Sequence, residues 1–341
     1  MPLTTKTQKL PSPLTVAMDL LWGGWRTFAV AAAVELNVFT AIASNKRTAK
    51  EIASETRANE SMMRRLLDAL VALKYLGRQD NCYSLSPDAA TYLVRGSELY
   101  MEGSGRFAAG QMMGWLPLAE VVRKGARITP TDDEASRAEF FAMLVKVIFP
   151  LNYVAAKLAI STFPARTKSR ITNVLDVGAG AAAWSIPFAQ ANKATKVTVL
   201  DFPQVTPVAR DYAARFGVAD QFEYQEGDLS RADLGTACYD MVILGHVIHG
   251  QGRDAGRDLL RRSVEALRNR GMLLIAEFIP TDDRKGPALS MLFGINMMLN
   301  TLDGDVYTMK EYRGWLKEAG CRTVKTIRNP AAPSPLIVAT K

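Results

Sequence analysis

From Thr172 onward, short apolar runs rich in β-branched residues (TNVLDV, KVTVL, FEYQ, DMVIL, MLLIAEF) alternate with stretches of helical periodicity, and RTVKTI and PLIVAT follow a further helical stretch. A strand that reads as a continuous apolar run is one buried on both faces, as in a parallel sheet covered by helices. The alternation therefore predicts an α/β domain with a Rossmann-like, doubly wound parallel sheet. Such a sheet collects its ligand at the carboxyl ends of the strands. One domain of this kind is present, with no internal repeat and no low-complexity tract.

The first of these strands runs into Asp176-Val177-Gly178-Ala179-Gly180-Ala181-Ala182-Ala183, and a helix follows. Glycines there let a nucleotide approach the backbone. Read as G-x-G-x-x-A, the loop also fits a dinucleotide fingerprint, with Asp201 ending the second strand where an acid grips ribose hydroxyls. Asp176 separates the two readings. A pyrophosphate wants helix N–H groups and no added anion. S-adenosylmethionine has no phosphate, and its ammonium and sulfonium are attracted by a nearby carboxylate. Asp228, in EGDL at the end of the third strand, is placed to accept from an adenine amino group while Leu229 covers the ring. Asp176, Gly178, Gly180, Asp201 and Asp228 all fall at strand ends on one edge of one sheet, which favours S-adenosylmethionine.

The preceding half differs. Residues 14–44 are apolar at helical spacing and need a partner surface. Two helical patterns then meet at Arg57-Ala58-Asn59 and give way to turn signals at Gly77 and Asn81 and a short strand containing Tyr83, the order of a winged helix-turn-helix. Residues from about Glu98 to Ser161 continue as helices rich in Met and aromatics, fit to line a pocket. The expected division is a winged-helix-like dimerisation domain over 1–100, a helical connector over 101–165 and the catalytic domain over 166–341. With 341 residues, 48% of them hydrophobic, the chain has material for this.

Charge and cysteine content narrow the setting. The formal charge is +8, but the basic residues are dispersed. Residues 45–80 hold eight Lys or Arg against five Asp or Glu, a surplus of three that is modest for phosphate binding. The presumed recognition helix offers Arg64 and Arg65 and few other groups able to read base edges. A nucleic-acid partner is therefore not expected. Three scattered cysteines and 14 methionines fit a cytoplasmic protein. The amino-terminal stretch shows neither a signal peptide nor a membrane span.

The chain resembles the class I methyltransferases of the plant caffeate, hydroxyindole and bacterial polyketide or carotenoid O-methyltransferase type over nearly its whole length. The matching stretches are VLDVGAG, VLDFPQV, EGDLS, YDMVILGHVIHG, LRNRGMLLIAEFIP and YTMKEYRGWLKEAG. The resemblance implies that an all-helical winged-helix domain serves as an intertwined homodimer interface. It also implies that Phe202 and Gly245 join the cofactor residues.

Both histidines of the chain, His246 and His249, follow DMVIL at the cofactor edge. Histidine is the usual general base near neutral pH, and methyl transfer to a hydroxyl becomes easier as the attacking oxygen loses its proton. His249 occupies the position of the family's catalytic histidine, and Glu277 that of the glutamate which orients it. His246, Met143, Met297 and Asn300 are candidates for binding a small, mostly apolar acceptor. No metal is expected, because neither a cysteine nor a third histidine completes a zinc set. Three departures stand out: Gly250-Gln251 replaces the usual Asp-Trp, Val306 replaces a second glutamate, and Ala182 replaces a frequent third glycine. Carbon methylation, or other chemistry on the same scaffold, stays open beside an oxygen acceptor. A nicotinamide-dependent oxidoreductase and a winged-helix DNA-binding regulator are the rival classes.

Overall fold

The computed structural model describes residues 13–125 and 134–341. The first twelve residues of the expected dimerisation domain, included in the reading that no targeting segment is present, lie outside the described residues, as do 126–133 of the connector. The chain divides into two compact units between Met113 and Gly114.

The first unit is built on helices Trp25–Glu35, Val38–Ala43, Ala49–Glu55 and Glu60–Ala72. Local signals set their starts. The Thr48 side chain and Glu51 form a reciprocal capping box, and the Asn59 side chain accepts from Met62 N–H at 3.2 Å. Their apolar faces enclose Phe39, Ile52, Leu67 and Leu70. The unit is not wholly helical: strand β1 (Leu76–Gln79) pairs with β2 (Cys82–Leu85), the strand expected around Tyr83. Tyr83 is 1% exposed and donates its hydroxyl to Asp68 at 2.8 Å, while Arg78 bonds the same carboxylate oxygen at 2.8 Å. The hairpin is thereby fastened to the preceding helix. Helix Pro13–Leu21 buries none of its residues in its own unit; Leu14, Val16, Leu20 and Leu21 are exposed.

The second unit holds a seven-stranded sheet ordered β5-β4-β3-β6-β7-β9-β8, with β3 Asn173–Val177, β4 Lys196–Asp201, β5 Phe222–Glu226, β6 Tyr239–Gly245, β7 Leu267–Ala276, β8 Thr323–Ile327 and β9 Leu336–Thr340. Strands β3 to β7 are parallel. Their registers stack Val174, Leu175, Met241, Val242 and Leu273 into a core with no exposed surface. The parallel expectation fails at β9, which runs antiparallel to both β7 and β8. The reason is length: residues 328–335 are too few for the crossover that a parallel neighbour demands. The sheet order reverses between β3 and β6, opening a crevice at their carboxyl ends.

The segment Glu139–Ser161, of mean hydropathy 1.6, is long and apolar enough to cross a membrane. It packs as a core helix. Phe149 lies 4.2 Å from the Tyr212 ring and 5.2 Å from Phe216, and Tyr153 donates its hydroxyl to Gln190 at 3.0 Å.

Candidate active site

The crevice is first shaped by backbone conformation. Gly178 and Gly180 have φ of +63° and +58°, values that only glycine adopts freely. A Cβ at Gly178 would fall 2.8 Å from Val247 Cγ2 and 3.2 Å from Leu229 Cδ1, and one at Gly180 would fall 2.8 Å from Val145 Cγ1. Ala182, where a third glycine is frequent, holds the same left-handed conformation at +56°.

Two acids organise the floor. Asp176 is 1% exposed and accepts from the Ser185 hydroxyl at 2.6 Å. Burial pushes its carboxyl up to about 7; the Ser185 hydrogen bond opposes the shift and the Asp201 charge adds to it. Asp201, at the end of β4, accepts from Gly180 N–H and from Phe202 N–H, each at 2.8 Å. Burial raises its affinity for a proton against those two amide bonds. The geometry bears on the rival cofactors. A pyrophosphate would need the loop amides, yet Gly180 N–H is turned onto an acid. A ribose diol needs an acceptor, and each Asp201 oxygen keeps capacity beyond its single amide bond.

The other cofactor candidates lie around this floor. Phe202 stacks at 6.4 Å on Phe141, and Phe141 and Val145 form one helical stripe over the loop. Leu229 is buried against Gly178. Asp228 turns its Oδ1 to Ser230 N–H and hydroxyl, both at 2.9 Å, a turn geometry. A Cβ at Gly245 would fall 2.6 Å from Trp184 Nε1, so the indole occupies the space a side chain would need.

Across the crevice, β6 ends at Gly245 and a short helical turn, Ile248–Gly250, presents His249. Its Nδ1 lies 2.6 Å from Glu277 Oε2, and its backbone N–H donates to Glu277 Oε1 at 3.2 Å. Burial alone would raise the Glu277 carboxyl; the His249 contacts outweigh it and hold the group below its ordinary value. The His249 carbonyl accepts from Asp305 N–H at 3.0 Å. Val306, where a second glutamate was noted as missing, is buried and carries no acid, so Glu277 is the carboxylate at the ring among the described residues. Ligand atoms of His246, His249 and Glu277 lie within 4.8 Å of one another. The direct bond between His249 and Glu277 engages two of the atoms that a metal ion would need.

An aromatic wall completes this side. Phe278 and Phe293 stack at 3.6 Å with 12° between planes, and Phe293 meets the His249 ring edge-on at 4.8 Å. Asn296, Met297 and Asn300 share the face of Phe293 on helix Ala288–Asn300 by their spacing. Asn300 donates to Asn296 O and Oδ1, and Trp115 Nε1 donates to Asn296 Oδ1 at 3.3 Å. Met143 is 41% exposed and stands off the stripe formed by Phe141 and Val145. The sequence reading placed Phe141 among the aromatics fit to line a pocket but did not single out Trp184, Ser185, Val145 or Phe278. Phe278 alone had a local signal, as the neighbour of Glu277.

An O-methyltransferase domain model matches residues 131–322, and an O-methyltransferase dimerisation domain model matches 18–95. The chain belongs to the O-methyltransferase family. This methyltransferase is 32% identical to a 3-hydroxy-5-methyl-1-naphthoate 3-O-methyltransferase of Streptomyces sahachiroi, over 92% of this chain and 91% of that one. It is 29% identical to a tetracenomycin polyketide synthesis 8-O-methyl transferase of Streptomyces glaucescens, over 87% and 88%. Human N-acetylserotonin methyltransferase, solved in complex with S-adenosylmethionine, superposes with a TM-score of 0.79 at 25% identity over 98% of this chain and 99% of that one. The methyl donor of the methyltransferase is S-adenosylmethionine.

Proposed function

We propose that the methyltransferase methylates a hydroxyl of an aromatic small molecule of secondary metabolism, with His249 as general base and Glu277 as its positioning residue. The observation that carries this is the 2.6 Å contact between His249 Nδ1 and Glu277 Oε2. With Nδ1 donating to the carboxylate, Nε2 is the ring nitrogen left to take a proton. S-adenosylmethionine supplies an electrophilic methyl group when bound. Gly178 and Gly180 give it backbone approach, Asp201 holds the ribose, and Asp228 and Leu229 hold the adenine, with Phe202 and Gly245 beside them. Asp176 has a carboxyl that burial brings near neutrality; a cation beside it favours the ionised form. His249 then withdraws the acceptor's proton while Phe278 and Phe293 exclude water and offer an aromatic face.

Met297 and Asn300, on the face of Phe293, and His246 are assigned to the acceptor, and Met143 to the pocket mouth. We assign the exposed apolar helix Pro13–Leu21 to a homodimer interface. Three free, well separated cysteines fit a cytoplasmic setting. The test is incubation with labelled S-adenosylmethionine, 3-hydroxy-1-naphthoate and extract of the host, with the site of labelling read by mass spectrometry and NMR. A methyl ether is expected; label on carbon, or none, overturns the assignment.

A further inference from the structure

Two shielded ring nitrogens lie at the carboxyl end of β6: one on His246, which is assigned to the acceptor, and one on Trp184, which has no role in the chemistry above. Trp184 follows the glycine loop and is 3% exposed. His246 follows Gly245 with φ of +63°, its N–H donating to Ala276 O at 2.8 Å. Neither Trp184 Nε1 nor His246 Nδ1 is accessible to solvent, and neither has a hydrogen-bond partner among the described residues. Buried polar atoms are seldom left so, because nothing compensates their lost hydration. A left-handed backbone at a residue other than glycine is a second departure at the same spot, and such strain gathers at functional sites.

Their placement says what kind of group they serve. The rings lie 6.0 Å apart. Trp184 stands on the cofactor side, next in sequence to the Ser185 that bonds Asp176. His246 stands toward the acceptor side, 5.3 Å from Phe278 and 6.3 Å from His249. An indole N–H only donates, so its partner must accept, whereas a histidine nitrogen can do either. Burial holds the His246 ring neutral, its affinity for a proton lowered to about 4 despite the Glu277 charge.

We propose that Trp184 Nε1 and His246 Nδ1 form a subsite for one ligand oxygen at the junction of methyl donor and acceptor. The inference rests on the methyltransferase reading. The oxygen comes from the carboxylate at the amino-acid end of S-adenosylmethionine, or from a carbonyl or hydroxyl of the acceptor.

Calorimetry on Trp184→Phe, which keeps an aromatic ring and deletes the donor, tests this with three probes: S-adenosylhomocysteine, 5′-methylthioadenosine, and 3-hydroxy-1-naphthoate added to the S-adenosylhomocysteine complex. A cofactor carboxylate predicts roughly tenfold weaker S-adenosylhomocysteine binding with methylthioadenosine unchanged, since the latter lacks the amino-acid end. An acceptor oxygen predicts unchanged S-adenosylhomocysteine and roughly tenfold weaker naphthoate. In either case the unliganded variant should lose in urea only the stability that a smaller buried ring costs, because no internal hydrogen bond is lost. His246→Asn, a residue that tolerates positive φ, should weaken the same probe and provides the test if Trp184→Phe does not fold. Wild-type affinity for all three probes in both variants overturns the inference alone. A wild-type protein that does not bind S-adenosylhomocysteine overturns the methyltransferase reading and this inference with it.

Discussion

His249 is gripped twice by Glu277: ring Nδ1 at 2.6 Å from one carboxylate oxygen, backbone N–H at 3.2 Å from the other. One acid at the end of β7 thus fixes both the ring and the turn that carries it. General-base catalysis typically contributes about 10²–10⁴ in rate. His249→Ala should lower single-turnover methyl transfer by about that factor while leaving S-adenosylhomocysteine affinity near normal. Glu277→Gln should lower the rate less and alter its pH profile. A loss of less than about tenfold would reject His249 as base.

Asp201 holds the Gly180 and Phe202 amides, and the proposed function gives it the ribose as well. Asp201→Ala should weaken S-adenosylhomocysteine by roughly 1.5–3 kcal/mol, the range for hydrogen bonds to a charged group. Calorimetry with unchanged affinity would remove Asp201 from the site.

Opposed pH effects are built into the crevice. Asp176 titrates near 7 when folded and near about 3.9 when unfolded. Between these values the native state holds the extra proton, so this group's contribution to stability falls as pH rises. His246 titrates near 4 when folded and near about 6.5 when unfolded. Its contribution rises with pH over that window. Asp176→Asn removes the falling part, so its stability in urea should climb more steeply than wild type from about pH 4 to 6.5. Parallel curves for the two proteins would contradict the assignment.

Phe149 anchors the long apolar helix to the sheet domain through Tyr212 and Phe216. Phe149→Ala should cost about 3–5 kcal/mol of stability, as for other fully buried aromatics. A loss below about 1 kcal/mol by chemical denaturation would show that the helix is not held there.

The exposed apolar row on helix Pro13–Leu21 makes the last prediction. The full-length chain should run as a dimer in light scattering at micromolar concentration, and a double change, Leu20→Glu with Leu21→Glu, should give monomer or insoluble protein. A wild-type monomer would defeat the assignment.

The strand-and-helix alternation made the sheet domain legible because buried parallel strands must be apolar throughout. The glycine loop and its acids were legible because strand ends are fixed points in such a sheet. The reversal of β9 was not, since direction depends on the length of a connection rather than on strand composition. Trp184 also escaped notice, and Phe141 was legible only as one of several aromatics fit to line a pocket. A buried tryptophan and a helical phenylalanine read as core in any sequence, and only the tertiary path brings one over Gly245 and the other onto Phe202.

The close approach of Trp184 to Gly245 makes the two positions one steric unit. Any side chain at 245 would meet the indole, so a larger residue there becomes tolerable only after position 184 has shrunk. A larger side chain at 245 should therefore be accommodated only by paired replacement, with a smaller residue at 184 introduced first.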